Sequence, residues 1–224
     1  MRKLNCLLFL FLTCPVYATD LILTGADSSK NSSYYYLGYI TPFHGNELGS
    51  GYVSRFWLDY IEYDYASGNS RIQASAPGIS YSIGFQRSVD KFSFGAFIGA
   101  EIRKTELSPN DSSNNANGTK INPLLSLEAQ NKFSDFSSIN FNGSLEPNTI
   151  AYWSRVRLGI GNTYKTGPEI SIQGDSTYHT KKFGWFLNGI NVGKEIYLGG
   201  KLGATKTDAS SYQPYVGIDL VKSF

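Results

Sequence analysis

Residues 94–104 read FGAFIGAEIRK, and their apolar side chains fall on alternate positions: Phe94, Ala96, Ile98, Ala100 and Ile102. Gly95, Phe97, Gly99, Glu101 and Arg103 occupy the positions between them. A period of two is a strand signal, because successive side chains of a strand point to opposite faces. The stretch has one greasy face and one mixed, partly charged face. In a soluble sandwich the greasy face would pack on a core; in a membrane barrel it would meet lipid. The pattern recurs in Ile79, Tyr81, Ile83 and Phe85, in Ile139, Phe141 and Leu145, in Val156, Leu158 and Ile160, and in Ile170 and Ile172. Past residue 18 no apolar run approaches the ~20 residues of a membrane helix, and no segment carries a convincing period of 3.6. The 16 Tyr, 14 Phe and 23 Gly suit an all-β chain.

Twelve strands are expected, at 19–27, 33–43, 51–66, 72–88, 91–105, 120–133, 136–147, 150–164, 166–177, 181–193, 195–207 and 212–224, with ten as the alternative number. The links alternate in character. SSKNS, ASGNS and ELSPNDSSNNANGT are polar and often long; VD, SD, KTG and GK are tight, with HGNELGS (44–50) a longer exception. Long loops at one end and short turns at the other are the habit of a bacterial outer-membrane barrel. Several of the segments exceed ten residues, long for a sandwich and suited to a tilted membrane strand of ~9–11 residues with a protruding end. The last segment places Val216, Ile218, Leu220 and Phe224 on one face. A terminal aromatic there resembles the signal read by the outer-membrane assembly machinery, although Lys222 departs from it. The expected fold is a closed antiparallel transmembrane β-barrel forming one domain, 19–224, with both termini in the periplasm.

Residues 1–18 read as a secretory signal peptide: Arg2 and Lys3, the apolar run LLFLFL, and VYA before the cut. A lipoprotein site at Cys14 fits less well, since Thr13 is bulky and Pro15 follows. Both cysteines lie in this leader, so the exported chain uses no disulfide. Two of the 20 basic residues also lie there, which leaves the rest balanced against its 18 acids. That balance gives no electrostatic basis for binding nucleic acid.

The stretches SRFWLDYIEYDY (54–65), SAPGISYSIGFQ (75–86), TELSPND (105–111), AYWSRVRLG (151–159), GPEISIQGD (167–175) and YVGIDL (215–220) together resemble the BcsS-like family of bacterial cellulose biosynthesis proteins. The resemblance runs in order across nearly the whole chain after the leader. It implies an outer-membrane barrel tied to cellulose or related exopolysaccharide production. The expected role is a non-enzymatic accessory protein assisting polymer export or surface organisation. A small diffusion channel is the alternative, and a lipid- or glycan-modifying enzyme a third class. The partners implied are outer-membrane lipid, cellulose or a related polysaccharide, and the synthase or secretion machinery.

If the greasy faces point outward, the lumen receives Glu101, Arg103, Glu128, Trp153, Arg155, Arg157, Glu169, Gln173, Asp175, Lys201 and Asp219, with Arg55, Trp57 and Asp59 sharing one face. Two readings stay open. Buried charges need partners, so these groups can form a packed ion-pair network. Trp153 beside Arg155 and Arg157, with Glu169, Gln173 and Asp175 following and Glu101 and Arg103 elsewhere on the wall, also has the character of a sugar site. Arg155 and Arg157 are expected opposite acids such as Glu169 or Asp175. A Ser176–His179–Asp175 arrangement is conceivable, but no nucleophile motif frames Ser176. No cofactor is expected, and no Cys or His pair stands at metal-ligand spacing.

Overall fold

Every alternating stretch becomes a strand. The computed structural model describes residues 20–68, 70–112, 114–175, 178–207 and 211–224; the expected leader lies outside them. The strands are β1 (Leu21–Ser29), β2 (Ser32–Pro42), β3 (Ser50–Ser67), β4 (Ser70–Val89), β5 (Phe92–Ser108), β6 (Gly118–Lys132), β7 (Ser137–Glu146), β8 (Ala151–Ile160), β9 (Lys165–Gly174), β10 (His179–Gly193), β11 (Ile196–Thr207) and β12 (Gln213–Ser223). Each pairs antiparallel with its neighbours, and β1 closes the ring by pairing with both β2 and β12. Closure leaves no unpaired edge, which is what lets a sheet cross a bilayer.

The faces fall as the alternation requires. Ile98, Ile102, Leu158, Ile170, Leu202 and Val216 are exposed on the outer wall, whereas Glu101, Arg157, Glu169 and Asp219 are buried inside. Phe43, Tyr52, Phe92, Phe133, Phe136, Tyr164 and Phe224 are exposed around the end that carries Asp20, the last residue and the short turns. They form an aromatic girdle of the kind found at a membrane interface. Lys222 shares the outer face, its ammonium 4.2 Å from the centre of the Phe224 ring.

The turns sit slightly differently from expectation. Val89 pairs with Phe92, so the β4–β5 turn is Asp90–Lys91 rather than VD; Gly193 pairs with Ile196, so the β10–β11 turn is Lys194–Glu195 rather than GK. Both residues of the latter turn have positive φ, 35° and 62°, the conformation that matches a hairpin's twist. KTG is not a turn: Lys165, Thr166 and Gly167 open β9, and the link is 161–164. Lys165 points inward, and its ammonium donates to the carbonyl oxygens of Asp135 and Gly161, tying two turns together. Local polarity suggested a turn; that inward role places the residue in a strand.

Near the turn end the barrel is filled. Leu21, Leu23, Ile40, Val53, Phe97, Tyr197 and Val221 pack inside, with Leu23 and Val53 wholly buried. Leu48 joins them from the long β2–β3 link, whose Gly49 amide donates to Gln86 Oε1 at 2.9 Å. Small residues make room for large ones: a Cβ on Gly38 would overlap the Trp57 ring, and one on Gly84 would overlap Phe97. Strands β3, β4 and β5 run 18, 20 and 17 residues against 10 each for β7, β8 and β9. The barrel therefore has one tall and one short wall at its loop end.

Candidate functional site

Above the apolar floor lies a layer of paired charges. Burying a charge without a partner costs several kcal/mol, roughly 3–5 when one member of a buried pair is removed, so each inward charge of this layer is met. Arg157 donates through Nε to Glu169 and lies 3.8 Å from Asp219. Its Nη1 is 3.1 Å from Asn188, whose amide satisfies both of its ends when the nitrogen faces the Leu187 carbonyl. Tyr36 donates to Asp219 at 2.8 Å and Tyr215 to Glu169 at 3.2 Å. Arg55 pairs with Glu128 at 2.9 Å and lies over the Phe97 ring. Lys201 and Lys182 both meet Asp27, at 2.7 and 3.6 Å.

Beyond this layer the lumen opens into a cavity of about 340 Å³. Its lining runs from Tyr63, Asp175 and Tyr178 at the loop ends of the strands down to Arg55, Glu128 and Ile40 at the floor, so it forms a cup toward the loops. On the β2–β3 side the wall is aromatic. Tyr36 and Trp57 stack with centroids 5.0 Å apart, and Trp57 donates through Nε1 to the Tyr34 hydroxyl at 3.2 Å. Higher up, Tyr63 stacks on Tyr65 and on Tyr178 of the β9–β10 link; burial pushes the Tyr178 hydroxyl well above its ordinary pKa. Trp153 stands on β8 with the Arg155 guanidinium 5.2 Å from its ring centre. Arg103 grips Asp59 at 2.8 Å and Glu101 at 2.7 Å while donating to the Ala76 carbonyl. The β5–β6 loop reaches over the tall wall: Asn114 is buried and donates to the Tyr65 hydroxyl at 2.9 Å.

The lining carries Arg55, Arg103, Lys120, Arg155, Lys182 and Lys201 against Asp27, Asp59, Glu101, Glu128, Glu146, Glu169 and Asp175. Among the described residues these are nearly balanced, so the cup has no strong net sign.

Of the eight residues singled out from sequence, Trp153, Arg155, Glu169, Gln173, Asp175, Glu101 and Arg103 line the cavity. Arg157 does not: it lies below, only 1 % exposed. Trp153 pairs with Gln173 in the ladder, Arg155 with Ser171 and Arg157 with Glu169. Asp175 falls just past the end of β9 and accepts from the Tyr178 amide at 3.2 Å; Glu169 is the acid that faces Arg157. His179 opens β10 rather than lying in a loop, with Nδ1 3.0 Å from the Tyr152 hydroxyl. Ser176, the nucleophile of the conceivable triad, lies outside the described residues. Sequence reading missed Tyr34, Tyr36, Tyr63 and Tyr178 as cup residues. The signal was present for the first three: Tyr63 lies an even six residues from Trp57 on β3, and Tyr34 and Tyr36 alternate around Tyr35 and share that face once β2 pairs with β3.

Comparison with known proteins agrees with this architecture. No curated protein matches the chain significantly. Among solved structures, the KdgM porin superposes with a TM-score of 0.54 at 11 % identity, covering 91 % of this chain and 99 % of that one. A second structure, the KdgM porin in complex with disordered oligogalacturonate, gives 0.53 at 12 % identity with the same coverage. At these identities the likeness establishes the fold, a transmembrane barrel of outer-membrane type. The family model described as cellulose biosynthesis protein BcsS matches residues 21–224. The chain belongs to the BcsS family of cellulose biosynthesis proteins.

Proposed function

We propose that this protein is a non-enzymatic accessory component of exopolysaccharide production in the bacterial outer membrane, and that it organises polymer at the cell surface. Family membership supports the pathway, and the barrel fold supports the membrane. One observation carries the choice of surface organisation over transport. The turn end of the lumen is packed with apolar side chains topped by ion pairs, whereas the cavity rises from that floor toward the loops. Long loops face outward in outer-membrane barrels, so the cup faces the medium and its floor separates it from the periplasm. The packed floor counts against a diffusion channel. The lining suits sugars, which present hydroxyls to charged and amide groups and ring faces to aromatics. The KdgM porin, of similar fold, is solved in complex with disordered oligogalacturonate, a precedent for a glycan complex of such a barrel.

The test is genetic and quantitative. Deleting the gene should release polymer from the cell surface into the medium while total synthesis stays near its original level. Complementation with the intact chain should restore retention. Loss of total polymer with periplasmic accumulation would point to export instead.

A further inference from the structure

We infer that the cup takes the free end of a neutral glycan whose pyranose rings carry both their hydroxyls and their linkages equatorially, as in a β-1,4-linked glucan, and grips that end without passing the chain. This rests on the proposed reading of the cup as a glycan site and names its ligand.

The geometry of the walls selects the ring. In a closed ring of twelve strands β2 and β8 are diametrically opposite, so the Tyr34–Trp57 wall faces Trp153 across the cup. A ring with equatorial hydroxyls has two flat C–H faces, each able to lie on an aromatic wall. An axial oxygen, whether a hydroxyl or the α-linkage of a maltooligosaccharide, would bury a polar atom against one of those walls without a partner. Equatorial hydroxyls radiate in the plane of the ring, toward the remaining two sides. There stand Glu101, Arg103 and Asn122 on β5 and β6, and Lys182 and Lys201 on β10 and β11, while Gln173 stands beside Trp153. These supply donors and acceptors alike.

Charge and depth narrow the ligand further. Six bases against seven acids in the lining leave no net field to draw in a polyanion such as a uronate chain. Leu23 and Val53, with no exposed surface, lie in the floor, so a chain entering from the loops stops there. The cavity, about 340 Å³, sits near the lower bound of ligand pockets, ~300–1,000 Å³, which fits a short terminal segment rather than a bundle.

The purified full-length barrel in detergent, titrated by calorimetry, tests this. The probes are cellobiose through cellohexaose, maltohexaose and trigalacturonate. Affinity should rise from cellobiose, level off by cellotetraose, and exceed that for maltohexaose and trigalacturonate. Trp153→Ala should weaken cellotetraose binding about tenfold, the loss of one ring contact, while heat-modifiable migration shows that the variant still folds. Gln173→Ala, a milder change, should also weaken it. Equal or tighter binding of maltohexaose or trigalacturonate would overturn the inference, as would affinity that climbs through cellohexaose. If none of the sugars binds, the glycan-cup reading itself fails.

Discussion

Arg157 shows how a single residue links register, burial and stability. It alternates with Val156 and Leu158, so an inward guanidinium and an outward apolar face are two statements of one fact. Replacing it with leucine strands the buried Glu169 carboxylate, and the barrel should lose about 3–5 kcal/mol. Urea unfolding in detergent, followed by gel mobility, measures this. The double variant Arg157→Leu, Glu169→Leu should recover much of the loss, because an apolar pair fills the site without a buried charge. Gly38 is a second case. Any side chain there collides with Trp57, so Gly38→Leu should lower folding yield and shift the tryptophan emission. At this scale the sequence was informative about which residues face inward, since alternation decides it. It was silent on depth: Arg155 and Arg157 look equivalent in the chain, yet one lines the cup and the other lies beneath it. Depth depends on strand stagger, which no local pattern encodes.

Among the elements, β8 offers the sharpest check. Val156→Arg would place a charge on the outer wall midway along the strand, costing roughly 2–4 kcal/mol if that point lies near the bilayer midplane. Membrane insertion should fall, whereas Arg155→Leu should leave insertion intact. Single cysteines at 153 and 155 should react with a water-soluble thiol reagent, and those at 156 and 158 with a lipid-phase probe; the reverse pattern would put this strand inside out. All twelve strands were legible because their periods and turn signals agreed. KTG misled because a lysine and a glycine resemble turn chemistry when the inward role of Lys165 is unseen. The tall wall formed by β3, β4 and β5, and the buried Asn114 of the loop above it, depend on pairing between distant segments and were not legible.

Taken whole, the molecule is a barrel with a filled floor and a cup open at its loop end. Of the two readings left open by the sequence, the packed ion-pair interior is observed beneath the cup, and the sugar site is the use proposed for the cup above it. Composition could not divide them, because the same inward charges serve both layers. The packed floor follows from contributions spread over six strands and the β2–β3 link: Leu23, Ile40, Leu48, Val53, Phe97, Tyr197 and Val221. The folded barrel should migrate faster than its boiled form on a detergent gel, as closed barrels with complete backbone pairing do. The most direct test of a surface-facing cup above a closed floor is planar-bilayer recording of the purified full-length protein. The account predicts insertion without steady current; any stable ohmic conductance would contradict it.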